Sequence, residues 1–176
     1  IVARTGYTGS PGFEIYIPAQ QSIQVARNIL EKGKPDGILP IGLGARDSLR
    51  LEAGYPLYGH ELSEKISPIQ AGLSSAVKFT KPQFIGREAL LGQVKQGTES
   101  QVVMFSLNDR RIARPGATVL SGQKTVGEIL SGTHSPLLNK PIGTALIKTG
   151  TSLDCLSVDI RGTHLPLQIT QTPFFK

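Results

Sequence analysis

The chain contains 176 residues, of which 39% are hydrophobic and 18% are charged, as in ordinary globular proteins. Its 19 basic and 13 acidic residues give a net charge of +6 that favours acidic partners, but the charges are scattered and only 6% of residues are aromatic, which argues against a nucleic-acid-binding protein. No apolar run approaches the roughly 18 residues of a membrane span, and a single cysteine excludes an internal disulfide framework.

The chain opens with a predicted β-hairpin. Residues 1–5 and 13–17 have strand-like sequences, and a turn rich in Gly, Ser and Pro separates them. Glu14 lies on the face opposite the apolar residues of the second strand, so we expect its side chain to point toward solvent or a cavity. Because a strand-like sequence starts directly at Ile1, without an initiator Met, we also expect the chain to be a piece of a longer protein.

A helix is predicted next, because apolar residues recur at helical spacing between Ile23 and Leu30 and Gly33 ends the run. We expect its apolar side to cover the apolar face of the hairpin. A brief strand is predicted at Ile38–Ile41, which makes the order of the first part β-β-α-β-α.

The segment from Gly42 to Gly54 is predicted to form a second short helix, with Gly54 as a left-handed cap. Leu49 and Leu51 are about 200° apart on such a helix, so opposite sides should both be covered by the fold. We therefore expect some of the charges of this helix to be buried.

Two arginines of this helix need negative partners. Arg50 has one available in Asp47, three residues earlier on the same helix surface. The neighbour of Arg46 on its own face is Arg50, a like charge, so its partner should lie outside the helix. That partner is either a protein carboxylate or a ligand carboxylate.

The rest of the chain divides into an irregular part and a strand-rich part. A loop follows the second helix, Val77–Phe79 resembles a strand, and Phe84–Leu91 resembles the start of an amphipathic helix. Six short strand-like runs then follow, divided by Gly, Pro and Asn turns, and they predict a small antiparallel barrel or sandwich. These runs are Gln101–Leu107, Ala117–Leu120, Thr125–Ser131, Ile142–Lys148, Leu156–Arg161 and Thr163–Thr170.

Several motifs, taken together and in this order, resemble the aminomethyltransferase family, the folate-dependent T protein of the glycine cleavage system. The match covers nearly the whole chain. Its longest motif is the glycine-bounded arginine helix. The motifs are Gly6-Tyr7-Thr8-Gly9, Gly12-Phe13-Glu14-Ile15, Gly42 to Gly54, Leu57-Tyr58-Gly59, Ile66-Ser67-Pro68, Phe84 to Glu88, Ser131-Gly132-Thr133 and Pro173-Phe174.

The resemblance implies an α+β fold in which part of a folate-binding α/β region precedes a small antiparallel β-barrel. The folate-binding part would be residues 1–80, a connecting helix and linker residues 81–100, and the C-terminal barrel residues 101–176. The acidic residue that helps to activate the folate in this family would lie upstream of Ile1, so the catalytic residues are left unassigned here.

The implied activity is an aminomethyl transfer. A one-carbon unit would move from an aminomethyl group on the lipoyl arm of a carrier, the H protein, to tetrahydrofolate, and ammonia would leave. We expect this chain alone to be inactive. Its unpaired Cys155 fits a reducing compartment, which we take to be the cytoplasm, or the mitochondrial matrix in a eukaryote.

By the same resemblance, four residues are expected to contact tetrahydrofolate. Glu14 corresponds to a glutamate that accepts hydrogen bonds from the pterin ring, and Arg46 to an arginine that contacts the folate. Tyr7 and Tyr55 correspond to the aromatic lining of the pocket. A competing interpretation is that Glu14 and Arg46 simply pair with each other.

Other chemistries have weaker support. The three histidines lack metal-ligand spacing, and no Gly-x-Ser-x-Gly nucleophile motif occurs. Two alternatives to the transferase remain open: a folate-binding module without catalysis, and the folate domain of a flavoenzyme acting on methylated glycines. The sequence preceding Ile1 would distinguish among the three.

Overall fold

In the computed structural model, which describes residues 1–170 and 174, helices dominate the first hundred residues and strands the remainder. The fold is α+β, as predicted. Strand β1 (Val2–Ala3) pairs with β2 (Glu14–Ile15) in an antiparallel hairpin. The paired segments are shorter than predicted, although the backbone N–H of Tyr16 still donates to the carbonyl of Ile1 at 2.9 Å.

Helix α1 (Ser22–Gly33) forms where the apolar spacing predicts it. The prediction that it covers the hairpin is wrong, because none of its residues is buried and Phe13 of the hairpin remains 69% exposed. The apolar sides of α1 and the hairpin thus face solvent instead of each other.

The two single strands predicted in the irregular segments are also wrong. The N–H of Ile38 donates to the carbonyl of Gly33 at 3.1 Å, and the N–H of Val77 donates to the carbonyl of Ser74 at the same distance. In both places a turn that follows a helical segment uses the backbone donor that a strand would need. The first part is therefore β-β-α-α.

Helix α2 (Leu43–Glu52) confirms the arginine helix. It ends in a left-handed Gly54 with φ 75°, and the N–H of Tyr55 donates to the carbonyl of Arg50 at 2.8 Å. Leu51 is only 1% exposed and packs with Met104 and Ile142 of the strand-rich part. The helix is thus attached to the barrel by its second half.

Helix α3 (Arg87–Gln96) leads into seven antiparallel strands. The six predicted runs are all present, with the last one divided at Leu167. The strands are β3 (Ser100–Ser106), β4 (Thr118–Ser121), β5 (Lys124–Ser135), β6 (Lys140–Lys148), β7 (Leu156–Ile160), β8 (Thr163–Pro166) and β9 (Gln168–Thr170). The two-residue turn Arg161-Gly162 joins β7 to β8, with φ values of 55° and 79°.

The order of the sheet is β8-β7-β4-β5-β6-β3-β9. Because β8 and β9 are successive parts of one extended segment, that segment pairs with β7 at one end of the sheet and with β3 at the other. The sheet therefore curls into a barrel. Its interior is filled by apolar side chains, among them Phe105, Leu107, Val119, Ile129, Ala145, Ile147, Leu156 and Val158.

Candidate functional site

Three of the residues predicted to contact a ligand lie around one cavity. The cavity has a volume of about 460 Å³ and lies between the hairpin turn and the beginning of α2. Tyr7, Glu14 and Arg46 all line it. The hairpin and the helix, which are far apart in sequence, thus present their polar side chains to the same space.

The fourth predicted residue, Tyr55, does not line the cavity but contacts the ring of Tyr7, which does. The rings of Tyr7 and Tyr55 have centroids 5.8 Å apart and are inclined by 30°. The Tyr7 hydroxyl donates to the carbonyl of Pro56 at 2.5 Å. Burial raises the pKa of the Tyr7 phenol above its usual range, although the positive charges of Arg50 and Arg46 act in the opposite direction. Tyr7 therefore stays protonated near neutral pH and remains a hydrogen-bond donor.

Arg46 stacks on this aromatic pair. The central carbon of its guanidinium lies 4.5 Å from the centroid of the Tyr7 ring, which is a cation–π contact. Stacking uses one flat side of the guanidinium and leaves its in-plane N–H groups directed elsewhere. Among the described residues, none of the ion pairs includes Arg46.

Glu14 does not pair with Arg46, so the competing interpretation of a simple ion pair is wrong. The carboxylate of Glu14 instead accepts a hydrogen bond from the hydroxyl of Thr5, which lies two residues beyond the end of β1. This bond fixes one carboxylate oxygen and leaves the second available as an acceptor. The cavity therefore has a positive donor on its α2 side and a negative acceptor on its hairpin side.

Arg50, one turn further along α2, has the opposite environment. It is 1% exposed, and its guanidinium donates to Asp47 at 2.8 Å, Glu61 at 2.9 Å, Ser131 at 3.0 Å and the carbonyl of Tyr55 at 3.2 Å. The predicted pair with Asp47 is confirmed. It is joined by a buried partner, Glu61, that sequence reasoning did not identify.

Glu61 ties the helix to the barrel. Its carboxylate also accepts from the hydroxyl of Thr144 on β6 and from the N–H of Leu57 at 2.9 Å. Burial alone would raise its pKa, but the hydroxyls of Ser131 and Thr144, the Leu57 amide and the charge of Arg50 outweigh burial and lower the pKa below its usual value. Glu61 is therefore ionised at neutral pH.

The buried Arg50–Glu61 pair supports the cavity indirectly. Arg50 binds the carbonyl of Tyr55, and Glu61 binds the amide of Leu57, so the pair fixes the loop on both sides of Pro56. The same loop supplies the carbonyl that accepts from Tyr7. Arg46 thus stacks on a ring whose position depends on the barrel.

Two further loop and helix residues make the same connection. His60 contacts the carbonyl of Leu130 on β5 at 2.8 Å through its Nδ1 atom. The buried carboxylate of Glu52 accepts from the Ser135 hydroxyl and from the N–H of Leu137 at 3.2 Å. Of these residues, the sequence signalled only Glu52, through the expectation that some of the charges of α2 would be buried.

The described residues form neither a cluster of metal ligands nor a helix fit to span a membrane. Within residues 1–170 and 174, no group of three or more His, Cys, Asp and Glu side chains converges on a point where an ion would bind. Over the same residues, no helix combines the length and the apolar character that crossing a bilayer requires.

Comparison with known families gives matches over both parts of the chain. Residues 1–81 match the family described as GCVT N-terminal domain. Residues 101–176 match the family described as glycine cleavage T-protein C-terminal barrel domain. The two matches follow each other in the order in which the irregular and strand-rich parts occur.

Individual proteins with similar sequences carry a name that is consistent with these family matches. A protein of Oceanobacillus iheyensis named aminomethyltransferase is 49% identical over 182 residues, which include 100% of this chain and 48% of that protein. A protein of Pseudothermotoga lettingae with the same name is 44% identical and is covered to 49%. The chain therefore spans about half the length of the curated relatives it matches.

A solved structure shows the same fold. The crystal structure of glycine cleavage system aminomethyltransferase T from Bartonella henselae superimposes with a TM-score of 0.90 at 30% sequence identity. The superposition includes 98% of this chain and 49% of that one. The hairpin, helices and barrel described above are thus shared with a protein of that name.

Proposed function

Because the chain belongs to the glycine cleavage T-protein family, we propose that it supplies the tetrahydrofolate-contacting part of an aminomethyltransferase. The proposed reaction moves a one-carbon unit from an aminomethyl group on the lipoyl arm of the H protein to tetrahydrofolate and releases ammonia. Tetrahydrofolate, when bound, would supply the nitrogen atoms that take up this unit. The names of the relatives favour this function over a non-catalytic folate-binding module or a flavoenzyme domain.

One observation carries the proposal: the guanidinium of Arg46, which forms no ion pair with any residue that the structure describes, lies over the ring of Tyr7 at the edge of a cavity. A planar fork of N–H donors matches the carboxylates of the glutamyl tail of folate. Residues of this chain thus fit a folate without rearrangement of an existing ion pair.

Glu14 is the second proposed contact. With one carboxylate oxygen engaged by Thr5, the other can accept hydrogen bonds from the N–H groups of a pterin ring. Tyr7 and Tyr55 would provide aromatic surface beside it. We assign these four residues to binding and none of them to the transfer chemistry.

The proposal extends to organisation and cellular context. We propose that residues 1–80 contribute to the folate-binding region, that residues 81–100 are a helix and linker connecting it to the barrel, and that residues 101–176 form the barrel domain. Residues 171–173, 175 and 176 of that domain lie outside the described structure. We also propose the cytoplasm as the location, since the one cysteine, Cys155, is exposed and unpaired.

The first test compares binding by this chain and by a full-length protein that contains it. We expect the chain alone to bind tetrahydrofolate weakly or not at all and to show no transferase activity. Calorimetric titration and an assay of ammonia release measure the two properties. Equal activity of both proteins would contradict the proposal that this chain supplies only part of the folate site and is inactive alone.

The second test concerns Arg46. In the full-length protein, Arg46→Ala should weaken tetrahydrofolate binding by about 1.5–3 kcal/mol, roughly ten- to a hundred-fold, because a charge-assisted hydrogen bond is lost. Arg27→Ala on the exposed α1 makes the same change in net charge and should leave the Kd unaltered. A normal Kd for a folded Arg46→Ala protein would rule out the ligand role.

A further inference from the structure

A second cluster of positive charge lies on the barrel and shares no residue with the cavity described above. A cleft of about 450 Å³ lies between the β3–β4 loop and the β7–β8 turn. Four arginines line it, three from the loop and one from the turn. They are Arg110, Arg111, Arg114 and Arg161.

Two carboxylates lie at or beside this cleft, and one of them pairs with a cleft arginine. Asp109 accepts from Arg111 at 2.9 and 3.0 Å, and these hydrogen bonds lower the pKa of Asp109 to about 2. Asp159, which also lines the cleft, accepts from the N–H of Gly162 at 2.7 Å. Among the described residues, the ion pairs include none of the other three arginines, so the cleft carries a net positive charge.

The backbone that carries these arginines is fixed to the barrel. Ala113 is 1% exposed, and the N–H of Gly116 donates to the carbonyl of Ile129 on β5 at 2.8 Å. The N–H of Ala117 donates to the carbonyl of Arg114 at 3.1 Å, which closes a turn. The backbone around Arg114 is therefore already ordered, so a ligand would have to order the exposed side chains but not this part of the loop.

Arg161 occupies a position that usually takes another residue. Its φ of 55° places it in the left-handed region, at the first position of a two-residue hairpin turn. Asn, Asp and Gly are preferred there, and a residue such as Arg costs about 1 kcal/mol in backbone strain. A guanidinium placed in this strained position, beside a cleft with other arginines, points to a use for the side chain.

We propose that this cleft binds the diphosphate group of a small organic molecule. Arginine forks match phosphate oxygens in geometry and charge. The apolar side chains of Ile112 and Ile160 line the same cleft and suit the organic part of the molecule. The volume lies within the range of about 300–1,000 Å³ that is typical of small-molecule sites, and the concave shape favours such a ligand over the flat surface of an acidic protein.

The test is a titration of the full 176-residue chain with pyrophosphate, with adenosine diphosphate and with a glutamate-rich peptide. We expect both diphosphates to bind. Tighter binding of adenosine diphosphate assigns part of the affinity to the apolar residues, and equal binding assigns it to the arginines alone. Failure of both diphosphates to bind, or tighter binding of the peptide, overturns the proposal.

Variants make the test specific. Arg114→Gln should raise the Kd for pyrophosphate about tenfold, whereas Lys124→Gln, which makes the same charge change at the first residue of β5, should alter it less than twofold. Arg161→Asn removes the guanidinium but suits the turn, so it should weaken binding tenfold while the Tm stays equal or rises. Equal losses for the Arg114 and Lys124 variants would show non-specific attraction and refute a site.

Discussion

At the scale of single residues, Arg46 and Arg50 show how one helix turn separates a structural charge from an available one. Arg50 is buried among four acceptors, whereas Arg46 stacks on Tyr7 beside a cavity. The sequence indicated this difference, because Asp47 is placed to pair with Arg50 and only a like charge is near Arg46. It did not indicate Glu61, because an acceptor that reaches a helix from a later loop leaves no periodic signal.

The buried pair of Arg50 with Glu61 predicts a large effect on stability. Glu61→Gln should lower the free energy of unfolding by about 3 kcal/mol, because the guanidinium of Arg50 keeps its burial but loses its charged partner. The side chain of Glu88, which pairs with Arg87, is 85% exposed. Glu88→Gln should therefore change stability by less than about 0.5 kcal/mol. Chemical denaturation measures both, and equal effects would contradict the importance of burial.

Glu61 also predicts a pH dependence. Its pKa is lowered in the folded chain, so its contribution to stability is complete above the unfolded value near 4.5 and is lost as the pH falls through the lower folded value. The unfolding free energy of the unaltered chain should therefore decline more steeply below pH 4.5 than that of Glu61→Gln. Parallel curves for the two proteins would show that Glu61 does not titrate in this way.

At the scale of elements, the barrel strands were predictable and the isolated strands were not. The barrel runs combine apolar, strand-favouring residues with Gly, Pro and Asn turns between them, as in Arg161-Gly162 after β7. Ile38–Ile41 has apolar residues between two glycines as well, but the N–H of Ile38 is already used by the turn that follows α1. Local sequence describes what a segment prefers, but a strand also requires a partner with free donors and acceptors.

Close packing at Gly132 predicts a further effect at this scale. A Cβ atom there would lie 1.8 Å from the carbonyl oxygen of Ala113, which belongs to the arginine-bearing loop. Gly132→Ala should therefore destabilise the chain by about 3 kcal/mol, since backbone must move on one side or the other.

The matched control for this substitution is Gly92→Ala in the middle of α3, where an added Cβ would have no atom within 4 Å. It should stabilise the chain by about 0.5–1 kcal/mol, because alanine favours a helix more than glycine does. Thermal unfolding of both variants measures the contrast. A neutral Gly132→Ala would show that the loop is less tightly seated than described.

At the scale of the whole molecule, the two parts differ in how they bury apolar surface. The barrel has a continuous interior, whereas many large apolar side chains before residue 44 are exposed. These include Ile1, Val2, Phe13, Ile15, Ile23, Leu39, Ile41 and Leu43. The composition of the sequence does not reveal this asymmetry, because the apolar residues of the first part are patterned as if they had a core to enter.

This asymmetry predicts unequal local stability. In the chain alone, amide hydrogens of α1 should exchange at least a hundredfold faster than those of β5 and β6, because local opening of α1 exposes no buried side chain. Hydrogen exchange followed by mass spectrometry measures the two regions in one experiment. Comparable protection in both would show that the helical part is held by contacts equivalent to a core.

The way the last segment of the barrel pairs with both β7 and β3 has a consequence for self-association. Each of β3 to β7 has a hydrogen-bonded neighbour on both sides, whereas β1, β2, β8 and β9 have one neighbour each among the described residues. Of these four strands, β1 and β2 are the ones that carry exposed large apolar residues, Val2 and Ile15. Exposed strand margins are the places where chains add to one another and begin to template fibrils. If this protein forms cross-β aggregates, they should therefore begin at the hairpin, and a proline or lysine introduced there should delay them.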